Sequence, residues 1–237
     1  LSRSVAWIGE MTFRPNLAML LSLNGGFVDT AGFLLLQGLF TAHVTGNFVT
    51  LCAALSNPTS DAGVAAKLLA LPVFCLCVML ARALHYRLEA RGLPILRCIL
   101  ALETMLLIIA AILSAWFTPL PKGDSLALLA IGMTLVAAMA VQNAAARTHL
   151  ASFPATTLMT STTTQLMLDL TDLLRGPSPQ DAPRLKQGLR RFLDSGLGFL
   201  LGCALGGLAE HLLGGWSLVV PPGLLLLAQR LVPPEPA

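Results

Sequence analysis

The chain has 237 residues, of which 55% are apolar and only 11% charged, and its mean hydropathy is +0.76. A soluble domain carries about 25% charged residues, so the shortfall is too large for a buried core alone and indicates one membrane domain. The formal net charge of +3 is small, and no basic run with interleaved aromatics occurs, so nucleic acid is not expected as a partner.

In chain order, full membrane spans are expected at 17–40, 64–86, 95–117, 125–147, 190–213 and 216–231. The first apolar stretch is longer than a leader's hydrophobic region, so a cleavable leader is not expected. Two more apolar stretches, 42–56 and 155–173, are shorter and richer in hydroxyls. The hydrocarbon core is about 30 Å thick and a helix rises ~1.5 Å per residue, so the helical part of 42–56 reaches the midplane without crossing.

Charge separates crossing from turning back. If both short stretches cross, the chain has eight spans, with ten Lys/Arg inside and five outside. If both are re-entrant there are six spans, and only Lys67 and Lys122 lie outside, against thirteen inside. The positive-inside rule favours six spans with both termini cytoplasmic. The expected fold is an all-α integral membrane protein: six transmembrane helices plus two re-entrant half-helix segments in a 3+3 inverted repeat, split as 1–118 and 119–237. A weak internal echo agrees. Thr41 to Leu51 aligns with Thr156 to Leu166 at an offset of 115, and Asp29 then falls beside Asn143.

The residues that could carry chemistry cluster around that echo. Asp29 sits mid-span in Asn24-Gly25-Gly26-Phe27-Val28-Asp29. A carboxylate at the bilayer centre costs ~2.5–3.5 kcal/mol on insertion scales, so it must face protein, water or a ligand. It reads as a solute, proton or ion ligand, with an interhelical anchor as the alternative. Thr45-Gly46-Asn47 would start a half-helix near mid-membrane, its free N–H groups turned toward a pore. Thr160, Ser161 and Thr162 would do the same from the other side. Gln142 and Asn143 lie across from Asp29 and either donate to a solute or knit helices. The expected solute- or ion-binding set is therefore Asp29, Asn24, Thr45, Gly46, Asn47, Gln142, Asn143, Thr160, Ser161 and Thr162.

Other features read as structure. Gly198, Gly202 and Gly206 form a small-residue stripe for close helix packing, which would also suit a homodimer contact. His43 and His149 flank the short stretches and read as structural, and Glu103 as either packing or function. The five cysteines are odd in number, lack C-x-x-C spacing and read as apolar packing residues. No Walker A, H-E-x-x-H or G-x-G-x-x-G occurs, so neither an enzyme nor a metal or other cofactor is expected.

The stretches Gly26 to Phe33 and Gly38 to Asn47 resemble the opening signature of the YoaK-like family of bacterial multi-pass inner-membrane proteins of unknown function. Gln142-Asn143-Ala144 and the Met159-Thr160 segment resemble that family's second half, although Met159-Thr160-Ser161 stands where a Thr-Gly pair is expected. The resemblance implies a multi-pass protein of the bacterial plasma (inner) membrane and brings no substrate. The expected function is transport of a small polar solute, coupled to a proton or ion through Asp29. The alternative is a membrane sensor or assembly factor.

Overall fold

The computed structural model describes residues 16–56, 63–121, 123, 125–150, 160–178 and 180–232. They form helices α1 (Leu17–Leu35), α2 (Gly46–Ser56), α3 (Val64–Glu89), α4 (Ile95–Trp116), α5 (Leu126–His149), α6 (Thr160–Arg175) and α7 (Ala182–Leu213). A 3₁₀ turn (Gly214–Val219) leads into α8 (Val220–Gln229), and no strand occurs among the described residues. Five helical stretches are long and apolar enough to cross a membrane: α1, α3, α4, α5, and the run from α7 through α8. The protein is a helical membrane protein.

Local chemistry sets the ends. The Asn16 side chain accepts from the Met19 amide and caps α1, and Ser125 caps α5 through the Leu128 amide. The helix expected to run to 40 stops at Leu35. Gln37 and Gly38 take left-handed backbone, φ 57° and 80°, and the chain reverses there. The expected span 190–213 begins earlier, at Ala182, with Pro183 in its first turn, where a missing N–H costs nothing.

The span expected at 216–231 is two pieces. Gly214, at φ 54°, lets the chain turn back after α7, and Pro221-Pro222 cannot donate into the preceding turn, so α8 starts afresh there. Gly215 accepts from Ser114, and Gln229 donates to Leu100 and Thr104, so this stretch runs antiparallel to α4 along most of its length. Six 3₁₀ residues at ~2.0 Å and ten α residues at ~1.5 Å give about 27 Å, close to the ~30 Å of a hydrocarbon core.

Contacts fix the directions. The end of α1 at Asn16 meets α7 at Asp194, and Gly206 of α7 meets Phe27 of α1, so these two helices are parallel. Asn24 and Gln142 pair while Gly32 meets Leu135, so α1 and α5 are antiparallel. The arginines 82, 87, 91, 97, 147, 190, 191 and 230 gather at the end that holds Asn16. Among the described residues Lys67 is the one Lys or Arg at the end that holds Gln37.

Helix pairings recur between the two halves. α1 packs on α7 as α5 packs on α3; α4 packs on α5 as α8 packs on α1; α2 lies against α3 as α6 lies against α7. The core between these helices is close-packed and apolar, centred on Phe27, Leu100, Leu135 and Met139.

Candidate functional site

The turn after α1 folds back along its own helix. Lys67 Nζ, on a buried side chain, donates to the Gln37 carbonyl at 2.8 Å and holds the apex. The returning backbone then descends to Asp29, seven residues and about 10 Å below Leu36 along the axis. There Asp29 Oδ1 accepts from the amides of Thr41 at 2.8 Å and Ala42 at 2.7 Å. Asp29 Oδ2 lies 2.6 Å from His43 Nδ1, an ion pair when the imidazole carries its second proton. Irregular backbone at this depth survives only with every polar group satisfied, and the carboxylate satisfies two amides at once.

α2 rises from this low point. Asn47 closes the loop with two hydrogen bonds: its Oδ1 accepts from the Phe40 amide and its Nδ2 donates to the Phe40 carbonyl, both at 2.8 Å. Gly46 leaves room for the Phe40 ring, which an added Cβ would meet at 3.0 Å. Gly63, which precedes α3, lies against the same turn, where a Cβ would meet Gln37 Oε1 at 3.4 Å. Gln37 and Gly63, which bracket the segment, thus lie at the same end of the helix bundle.

The expected free N–H groups at the start of α2 are not free. The amides of Gly46, Asn47 and Phe48 bond the carbonyls of His43, Val44 and Thr45, because a tight three-residue turn precedes the helix. Thr45 is exposed, and Asn47 serves the loop.

Asp29 and His43 border a cavity of about 420 Å³, whose walls include Phe33, Phe40, Phe199 and Cys203. The His43 ring meets Phe199 edge-on at 5.4 Å between centroids, and the Phe33 and Phe40 rings meet at 4.7 Å, tilted by 43°. Aromatic walls with a few convergent polar groups are the usual form of a small-molecule site. The dyad can pass a proton between carboxylate and imidazole or hold a cationic or donor-rich group.

A second polar group sits at the centre. Asn24 Nδ2 donates to Gln142 Oε1 at 2.9 Å and to Glu103 Oε1 at 3.2 Å, and Gln142 Nε2 donates to the Leu21 carbonyl at 2.9 Å. All three side chains are fully buried. Asn24 Oδ1 and Glu103 Oε2 are buried without a hydrogen-bond partner. The group joins α1, α4 and α5 across both halves.

The remaining expected residues lie elsewhere. Asn143 donates to Met139 of its own helix and borders a second cavity with Arg82 and His85. Of Thr160, Ser161 and Thr162, the side chains of the first two lie outside the described residues. Thr162 is half-buried at the start of α6, which packs on α7 through Leu166 and Leu173 against Leu185 and Leu189. Thr162 does not line the Asp29 cavity. Gly198, Gly202 and Gly206 face Met19, Leu23 and Phe27 of α1, backbone on backbone.

Sequence reasoning had no pointer to His43 as the partner of Asp29, because fourteen residues and a reversal separate them. Glu103 carried a pointer of its own, an acid several residues inside an apolar span, but its partners were not readable.

Neither a curated protein nor a solved structure matches the chain. A family model described as "Protein of unknown function (DUF1275)" matches residues 17–229, and the chain belongs to that family.

Proposed function

We propose that the protein is a six-span transporter of the bacterial inner membrane that moves a small polar solute between two oppositely oriented halves. The observation that carries this reading is the recurrence of helix pairings. Each contact of the first half with the second has its counterpart, with equivalent helices running in opposite directions. Inverted repeats of this kind place a site near the midplane between them. A buried Asn24–Glu103–Gln142 group on that boundary supports it, since intramembrane polar residues are expensive and mark pathways or function. The loop held by Asp29 supports a re-entrant first short segment. The arginine-rich end becomes cytoplasmic by the positive-inside rule, with both termini on that side. No catalytic role is assigned to any residue.

One observation favours the second reading, a sensor or assembly factor without transport. The Asp29 cavity and the Asn143 cavity share no lining residue. In a transporter this is an occluded state, and the halves must rock to open it.

The test compares a strain lacking the protein, its parent, and the deletion strain carrying wild type, Asp29→Asn or Glu103→Leu. Uptake and efflux are resolved solute by solute. Transport predicts at least one small polar solute whose flux falls in the deletion, returns with wild type and does not return with either folded variant. Unchanged flux of every solute, with the variants indistinguishable from wild type, contradicts it.

A further inference from the structure

The second cavity, about 360 Å³, lies between α3, α4 and α5 at the arginine-rich end. It is the counterpart of the Asp29 cavity. Asn143, Ala144, Arg147 and Thr148 line it from α5, each 114 positions after Asp29, Thr30, Phe33 and Leu34, which line the first from α1. The backbone placement repeats while the chemistry inverts: a carboxylate and aromatics in one, two arginines in the other.

Its lining divides by polarity. Phe74, Val78 and Ile99 make an apolar interior, and Arg82, His85 and Arg147 supply the cationic and polar groups. No acid lines it. Arg82 lies over the Tyr86 ring at 4.4 Å, and His85 meets that ring edge-on at 5.8 Å between centroids. Tyr86, the only tyrosine of the chain, is exposed, and an exposed tyrosine at a helix end marks headgroup depth. The opposite face of α3 exposes Leu76, Met79 and Leu80, so the helix that walls the cavity also presents a surface suited to lipid. A volume in the ~300–1,000 Å³ range of small-ligand sites, apolar within and doubly cationic at its rim, matches an amphiphile with one anionic head.

We infer that this cavity binds an anionic phospholipid of the cytoplasmic leaflet, its phosphate between Arg82 and Arg147 and part of an acyl chain against Val78 and Phe74. The charge complementarity fixes the head, and the apolar interior distinguishes a lipid from a free phosphate. This inference does not depend on transport.

The test uses the purified full-length protein in a neutral detergent, with phosphatidylglycerol, phosphatidylcholine or inorganic phosphate added. Retained lipid is counted by native mass spectrometry, and thermal unfolding is followed in parallel. Phosphatidylglycerol is expected to be retained and to raise the unfolding midpoint, while phosphatidylcholine and inorganic phosphate leave it in place. Arg82→Gln with Arg147→Gln removes about 1 kcal/mol per charge and weakens retention about thirtyfold. Val78→Trp fills the interior and weakens it while both arginines stay. Equal stabilisation by phosphatidylglycerol and phosphatidylcholine overturns the inference. So does stabilisation by inorganic phosphate that Val78→Trp leaves intact, which identifies a soluble-anion site. Should the double variant fail to fold, the three-ligand comparison on wild type and the Val78→Trp protein decide alone.

Discussion

Asp29 anchors a backbone reversal and borders a cavity at the same time, and the two roles separate by substitution. Asp29→Ala leaves the Thr41 and Ala42 amides without their acceptor at ~1–3 kcal/mol each, so a loss of about 2–6 kcal/mol is expected. Asp29→Asn keeps an oxygen for both amides and removes the charge facing His43. Hydrogen exchange reads the difference: the Thr41 and Ala42 amides should exchange slowly in wild type and Asp29→Asn and rapidly in Asp29→Ala. Fast exchange in all three proteins would show that the carboxylate does not hold the loop. Glu103 is a milder case. Intramembrane hydrogen bonds contribute ~0.6 kcal/mol on average and up to about 1.7, so Glu103→Gln should cost less than about 1 kcal/mol in a denaturation series. A loss of several kcal/mol would mean that the carboxyl makes a contact its amide cannot. Asp29 stood out in the sequence because a mid-span carboxylate has few cheap explanations. Its partners did not, since they depend on a left-handed turn at Gln37, a residue with no strong preference for φ above zero.

Between α1 and α7 the glycines set the distance between helices. A Cβ on Gly202 would lie 2.0 Å from the Leu23 carbonyl oxygen, and one on Gly26 would lie 2.2 Å from that of Phe199. Backbone cannot yield as a side-chain tip can. Gly202→Ala should therefore cost about 3 kcal/mol or more, at the upper end of overpacking effects. Gly207, one position past the stripe, meets only Thr30 Cγ2 at 3.7 Å, so Gly207→Ala should be neutral or gain about 0.5–1 kcal/mol from helix propensity. Thermal unfolding of the two variants side by side checks the pair, and equal stability of both would place the stripe away from α1. The stripe was visible in the sequence through its four-residue period; its partner helix was not, because spacing says which face is small and not what meets it. Most helix ends agree with the apolar stretches to within a few residues, since length and hydropathy set them. The ends that moved, Leu35 and Ala182, lie at a reversal and at a polar amphipathic turn, where hydropathy carries no signal.

At the scale of the whole molecule, the described Lys and Arg residues separate along the helix bundle. Counting Lys and Arg put Lys67 and Lys122 on one side. In the fold Lys67 sits at the reversal while the arginines gather at the opposite end. The echo between Thr41 to Leu51 and Thr156 to Leu166 was faint, and the two cavities match at an offset of 114 rather than 115, with Asn143 in the place of Asp29 and Arg147 in that of Phe33. The recurring helix pairings are not displayed by any pairwise residue match. The proposed opposed orientation of the halves rests on the segment between Gln37 and Gly63 turning back rather than crossing. It is tested most directly by single cysteines placed at Ser60, Gly92, Gly123 and Gly176 in a protein whose own five cysteines have been replaced, labelled in intact cells with a membrane-impermeant maleimide. Ser60→Cys and Gly123→Cys should label from outside, and Gly92→Cys and Gly176→Cys only after permeabilisation; labelling of Ser60→Cys only after permeabilisation, with Gly123→Cys still outside, would mean that the first short segment crosses and would contradict the inverted arrangement.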